Sequence, residues 1–292
     1  MLKQRIITAL VLLPLVLGLL LATQLNFFAA SIAVIVYLIG LEWAKLAGFK
    51  NGLAYTAYAL AVTSVNLFIW YTSDKFTMWP SPSWPALLEW DQPMIVLGLA
   101  VAAIGLAIMI VLTYSRLPKW WSNLPIVSLI GLILLPAFFV SVISIRSIAY
   151  LDDFYRGGLI VLFMFCLIWA ADTGAYITGK IFGKHKLAPI VSPNKTWEGA
   201  LGGFCLSMLI AWTGAYLLNL EINNWLLYSL VAVCLAILSV IGDLFESALK
   251  RVSNIKDSGN LLPGHGGLLD RLDSTIVVAP IFFLSFSYFG WF

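Results

Sequence analysis

Two stretches of this chain carry residue types that do chemistry, and both are set among apolar sequence. The denser one opens at Gly242-Asp-Leu-Phe-Glu-Ser247 and runs on through Lys250 and Arg251. Asp243, Glu246 and Lys250 recur at i, i+3 and i+7, so they share one helical face, where acids and base can also simply neutralise one another. Next comes Lys256-Asp-Ser-Gly-Asn-Leu-Leu-Pro-Gly-His-Gly-Gly-Leu-Leu-Asp-Arg-Leu-Asp273. Gly264, Gly266 and Gly267 flank His265 and free the backbone to turn amides toward a bound oxyanion. Asp270 and Asp273, three residues apart at the start of a helix, point the same way and repel each other unless a cation lies between them. Such hard oxygen ligands suit Mg2+, usually held by one or two carboxylates while substrate phosphates complete its shell, and Asp243 offers a third. Metal, cationic side chains and backbone amides are together the equipment of phosphoryl or nucleotidyl transfer.

The second stretch lies upstream. Asp172 stands in Trp169-Ala-Ala-Asp-Thr-Gly-Ala-Tyr176, inside an apolar run, where a carboxylate costs about 2.5 to 3.5 kcal/mol at mid-membrane. Either a ligand or metal offsets that cost, or the small neighbours Ala170, Ala171, Gly174 and Ala175 allow a close interhelical hydrogen bond. Gly174 to Lys180 matches the first part of a phosphate-binding loop by chance only, because Ile181 replaces the Ser or Thr and no strand precedes it. In Ser192-Pro-Asn-Lys-Thr-Trp-Glu-Gly199, Pro193 predicts an irregular entry, and Asn194 or Thr196 a cap for the following helix. That helix start, with Lys195 beside it, makes an anion site for a phosphate.

The elements that must position these residues are membrane helices. Of the 292 residues 61% are hydrophobic and 11% charged, against roughly 25% charged in a soluble domain. Runs of about 20 apolar residues predict nine spans, at 6–23, 27–47, 53–72, 94–114, 124–146, 158–179, 199–218, 225–247 and 275–292. The first follows Lys3 and Arg5 as a signal peptide would, but it lacks a small-residue cleavage site and reads as a retained helix. With the amino terminus inside, only Lys75, Arg146 and Arg156 fall outside, leaving the other 14 of 17 basic residues on the cytoplasmic face and the carboxyl terminus outside. The acid-rich segments 172–198 and 243–273 are too polar to lie against lipid, so they line a cytoplasm-facing polar cavity.

The fold class is therefore an all-α integral membrane protein of about nine transmembrane helices in the cytoplasmic (inner) membrane. Residues 1–150 read as a scaffold with lipid contacts, chemically quiet apart from a Trp- and Pro-rich interfacial loop from Thr72 to Pro93. Residues 151–292 carry the site. Cys166, Cys205 and Cys234 fall within spans as small packing residues, with neither disulfide nor zinc spacing, and no internal repeat or low-complexity tract is present. On the residues alone the substrate stays open, with a phosphoryl or nucleotidyl transferase acting on a lipid as one reading and a transporter as another.

Ser247-Ala-Leu-Lys-Arg251, Lys256-Asp-Ser-Gly259 and Leu262-Pro-Gly-His-Gly-Gly-Leu-Leu-Asp-Arg-Leu-Asp273 resemble the signature of the phosphatidate cytidylyltransferase family, completely over the 27 residues from Ser247 to Asp273. The two upstream segments are similar to that family as well, with Ala171 where relatives often have Ser. The resemblance implies transfer of a cytidylyl group from CTP to phosphatidic acid, giving CDP-diacylglycerol and pyrophosphate, in an all-helical homodimer that needs Mg2+, with or without a second cation. It has no place for nucleic acid. By position it makes Asp243, Asp270 and Asp273 metal ligands and, with Lys250 and Arg271, catalytic. Asp172, Ser192, Lys195, Arg251, Lys256, His265, Gly266 and Gly267 are the expected substrate-binding residues, His265 through phosphate rather than proton transfer.

Overall fold

The computed structural model describes residues 2–73, 92–116, 118–261, 264 and 266–292. Among them are nine α-helices: α1 (Leu2–Ala22), α2 (Leu25–Ala47), α3 (Gly52–Thr72), α4 (Gln92–Thr113), α5 (Leu124–Ser147), α6 (Arg156–Phe182), α7 (Trp197–Leu217), α8 (Trp225–Val252) and α9 (Leu269–Phe289). A short antiparallel hairpin, β1 (Lys186–Ala188) and β2 (Ser192–Thr196), joins α6 to α7. Eight helices, α2 to α9, are long and apolar enough to cross a membrane, and α1 is apolar over Leu10–Ala22. A helix satisfies its own backbone polar groups without water, which is why this composition folds as an all-α integral membrane protein. The expected anchoring loop, with Trp79, Trp84 and Trp90, and the candidate His265 lie outside the described residues.

Three helices overrun their apolar stretches, and all three do so at polar sequence. α6 continues to Phe182, α8 to Val252, and α9 starts at Leu269 rather than near 275. Hydropathy detects only the lipid-immersed part of a helix, so the polar ends that carry Lys250, Asp270 and Asp273 escape it.

The hairpin replaces the irregular entry expected at Ser192–Gly199. Lys186 pairs with Thr196 and Ala188 with Ser192, with an irregularity between them. Pro193 is tolerated because a strand of a two-stranded sheet always keeps one edge open. Thr196 then caps α7, accepting from the Gly199 amide at 3.1 Å, as the sequence predicts.

α5 forms the centre of the bundle, fully buried from Leu134 to Ser147, and packs against α2, α4, α6 and α9. Inside a membrane, lipid is as apolar as a side chain, so helices associate by close packing of small residues. α6 and α7 show this most clearly. A Cβ on Gly203 would sit 2.5 Å from the Ala171 carbonyl oxygen, and one on Gly174 would sit 2.6 Å from the Gly202 carbonyl oxygen. The small residues around Asp172 thus set the distance between these two helices.

Two cations counted above as loop charges are structural. Arg146 is fully buried at the end of α5, donating to the carbonyls of Phe154 at 3.1 Å and Thr23 at 3.0 Å, with its guanidinium 4.9 Å from the Phe154 ring centre. Arg156 donates to the Leu218 carbonyl. Both tie helix ends together on the face opposite the acid-rich segments.

Replacing Gly203 with Ala forces α6 and α7 apart and should lower stability by about 1 to 3 kcal/mol, the usual cost of overpacking. Gly105 has open space around its Cβ position, so Gly105→Ala should leave stability unchanged or slightly raised. Thermal unfolding of both variants in detergent checks this contrast.

Candidate active site

The end of α8 and the start of α9 meet at Gly242, where an added Cβ would lie 2.9 Å from Ser274 Cα and 3.0 Å from the Asp273 carbonyl oxygen. That contact brings the next residue, Asp243, close to Asp273. Carboxylate oxygens of Asp243, Glu246 and Asp273 lie within 4.8 Å of one another. They line a cleft of about 240 Å³ together with Asp172, Asp257, Asp270, Lys250, Arg271 and Ser274.

Each acid is held differently. Asp273 accepts from the Ser274 amide at 2.6 Å. Asp270 is spanned by three donors: Lys250 Nζ at 2.9 Å, the Gly267 amide at 2.7 Å and the Ser258 amide at 3.1 Å. Lys250 also pairs with Glu246, whose carboxylate is almost entirely buried. Glu246 Oε1 is buried without a hydrogen-bond partner among the described residues. Asp243 pairs with Lys195 at 2.6 Å and accepts from the Ser247 hydroxyl at 3.3 Å.

A second cleft of about 330 Å³ adjoins the first, sharing Asp172 and Asp243 with it. It is formed by α6, the hairpin, α7 and α8, and its lining includes Tyr176, Leu187, Ser192, Asn194, Lys195 and Thr196. The hairpin is fixed from both sides. Arg251 Nε donates to the Val191 carbonyl at 3.2 Å, and Glu198 pairs with His185 at 2.6 Å while accepting from the Lys184 amide. Lys195 is thereby set at the junction of the two clefts.

The structure thus gathers Asp172, Asp243, Lys250, Asp270, Arg271 and Asp273 around one cleft, and Ser192 and Lys195 around the next. Arg251 and Lys256 are exposed and line neither cleft among the described residues, Arg251 instead serving the hairpin. Gly266 takes a left-handed φ of 85°, as its residue type allows. The Gly267 amide, expected to face an oxyanion, is engaged by Asp270 because that carboxylate folds back over the start of its own helix.

Three acids gained no role from the sequence: Asp257, which lines the first cleft, Glu246 and Glu42. Glu246 shares a helical face with Asp243, and only the packing of α9 against α8 shows that it completes a three-carboxylate group. Glu42, on α2, is buried and accepts from Ser258 Oγ at 3.0 Å, the Leu268 amide at 3.1 Å and the Leu269 amide at 2.8 Å. Its signal was available: it is an acid within a predominantly apolar span, the same feature that marked Asp172.

Comparison with known proteins gives the family of the chain. A model of the cytidylyltransferase family matches residues 3–289. A protein of Haemophilus influenzae called phosphatidate cytidylyltransferase is 36% identical over 99% of this chain and 99% of its own length. One of the same name from Pseudomonas aeruginosa is 39% identical over 100% of this chain and 99% of its own. A third, from Staphylococcus haemolyticus, is 40% identical over 61% of this chain and 75% of its own.

Because Lys250 serves two acids that are largely out of water, Lys250→Met should destabilise the protein by about 3 to 5 kcal/mol, the range for breaking a buried pair. Adding Glu246→Gln removes one of the stranded charges and should recover part of that loss. A double-mutant cycle of melting temperatures in detergent measures the coupling.

Proposed function

The chain belongs to the cytidylyltransferase family, and from that footing we propose that it transfers the cytidylyl group of CTP to phosphatidic acid, giving CDP-diacylglycerol and pyrophosphate. The observation that carries this reading is the acid-rich cleft at the ends of membrane helices, joined to a second cleft by Lys195. A water-soluble triphosphate and a membrane lipid must meet at one place, and helix ends near the membrane surface serve both.

In the reaction a phosphate oxygen of phosphatidic acid attacks the α-phosphorus of CTP in line. The new P–O bond forms as the bond from the α-phosphorus to the bridging oxygen breaks, and pyrophosphate leaves. No general base is needed, because a phosphate monoester is already ionised near neutral pH. The task of the protein is to hold two anions together, by positioning and by charge.

Six carboxylates and two cationic side chains line the first cleft, a balance that repels a triphosphate unless a further cation is bound. The residues fit such a cation. Asp243, Glu246 and Asp273 present hard oxygens close together, and Glu246 Oε1 is buried without a hydrogen-bond partner among the described residues. We therefore take Asp243, Glu246 and Asp273 as the holders of Mg2+, with Glu246 in place of the expected Asp270, whose carboxylate is engaged by Lys250 and two backbone amides. When bound, Mg2+ neutralises phosphate charge and polarises the α-phosphorus. Lys195 has three donors, so pairing with Asp243 leaves it capacity for a phosphate oxygen, and Arg271 faces the first cleft for the same purpose.

This reading sets the clefts on the cytoplasmic side of the inner membrane, where CTP is found, with the amino terminus inside, the carboxyl terminus outside and a homodimer as the working unit. A cysteine replacing the exposed Lys50, in the α2–α3 connection at the same end as Glu42, should react with an impermeant reagent in inside-out vesicles and resist it in intact cells. Labelling from outside intact cells overturns the orientation.

Purified protein in detergent should incorporate label from the cytosine ring of CTP into phosphatidic acid, but none from the γ-phosphate, whose transfer would indicate a kinase. Asp273→Asn keeps the shape of the side chain and removes a ligand charge, so kcat should fall by roughly 100-fold or more with little change in melting temperature. A destabilised Asp273→Asn protein that turns over normally per folded molecule would contradict the metal assignment.

A further inference from the structure

We infer that Glu42 is a positioning residue for this transfer: anchored on α2, it holds Ser258 and the start of α9 at Leu268 and Leu269, and so sets where Asp270 and Asp273 stand. The inference rests on the transferase reading of the site.

Glu42 lines neither cleft among the described residues and touches no reacting group. Among the described residues its partners are two backbone amides and a hydroxyl, with no cation among them. The amides belong to Leu268 and Leu269, at the first turn of α9, whose own N-cap position, Leu268, has no side chain able to accept them. A helix start leaves its first N–H groups unpaired and carries partial positive charge, which a carboxylate complements. Here the cap comes from a residue 226 positions away in sequence. Leu269 is fully buried, so its amide has no water to turn to if the cap is lost.

The Glu42 carboxylate reaches this position only because side chains are missing around it. A Cβ on Gly259 would collide with Oε1, and one on Gly267 would lie 2.5 Å from Oε2. Ser258 then couples the cap to the site, since its hydroxyl donates to Glu42 and its amide to Asp270. Lys250 continues the path from Asp270 to Glu246. Asp270 and Asp273 follow Leu269 by one and four residues, so a shift of the first turn of α9 carries both carboxylates with it. Mg2+ binds with near-octahedral geometry at about 2.0 to 2.1 Å, a range that a small displacement exceeds.

Glu42→Gln keeps side-chain volume but turns an NH2 group toward the donors of α9. It should weaken binding of Mn2+ to substrate-free protein, followed by electron paramagnetic resonance, by about 10-fold, and lower kcat by a similar factor with a smaller change in the KM for CTP. Ser258→Ala removes one of the three hydrogen bonds and should give a weaker effect, about 2- to 3-fold. A merely structural role would reduce the yield of folded protein while leaving Mn2+ affinity and turnover per folded molecule intact, and that result in Glu42→Gln overturns the inference. If Glu42→Gln cannot be recovered folded, unchanged Mn2+ affinity in Ser258→Ala overturns it instead. Loss of Mn2+ affinity in a protein whose wild type shows no CTP-dependent activity would support the positioning role and refute the transferase reading.

Discussion

Six carboxylates gather around one small cleft near the ends of helices that otherwise live in lipid, where they repel one another and those of Glu246, Asp270 and Asp273 lose much of their hydration. The rest of the structure answers that cost. Lys250 is shared between Glu246 and Asp270, Lys195 is brought across to Asp243, and the amides of Gly267 and Ser258 close on Asp270. A buried carboxylate without such partners is strongly unfavourable. What these contacts leave over, the open side of Asp243, Glu246 and Asp273, is where we propose that a divalent cation binds.

The spacing of those acids depends on backbone approaching backbone. Gly242 lets α8 meet α9 at Ser274, and Gly174 and Gly203 let α6 meet α7 beside Asp172. In a membrane, where burial of apolar surface supplies no force between helices, such contacts decide the geometry as well as the stability. The polar helix ends project from these contacts, and the β1–β2 hairpin closes the second cleft between them. It is attached through Arg251 and Glu198, two charged residues that hold it in place.

Glu42 brings the amino-terminal half into the same network. A split between a quiet scaffold and a catalytic half fits the distribution of polar residues along the chain, yet the turn leading into α9 is capped from α2. The family's glycine-rich signature gains a second physical meaning from this contact. Gly259 and Gly267 make room for a carboxylate of the protein itself, besides any room they leave for substrate.

Much of this protein is legible in the order of its residues. Apolar runs of bilayer length locate eight of the helices within a few positions, because hydropathy and length are local properties that lipid enforces directly. The signature from Ser247 to Asp273 points to the family, and the i, i+3 spacing of Asp270 and Asp273 places both acids at one cleft, since a helix has a fixed period. Other features depended on contacts between residues far apart. Lys195 against Asp243, Glu246 completing a group with Asp273, Arg146 inside an aromatic cage and Glu42 capping α9 all join separate elements. Their partners are chosen by which helices pack together and by where glycines allow them to touch. No local pattern encodes that choice, because the energy that decides it belongs to the assembled bundle.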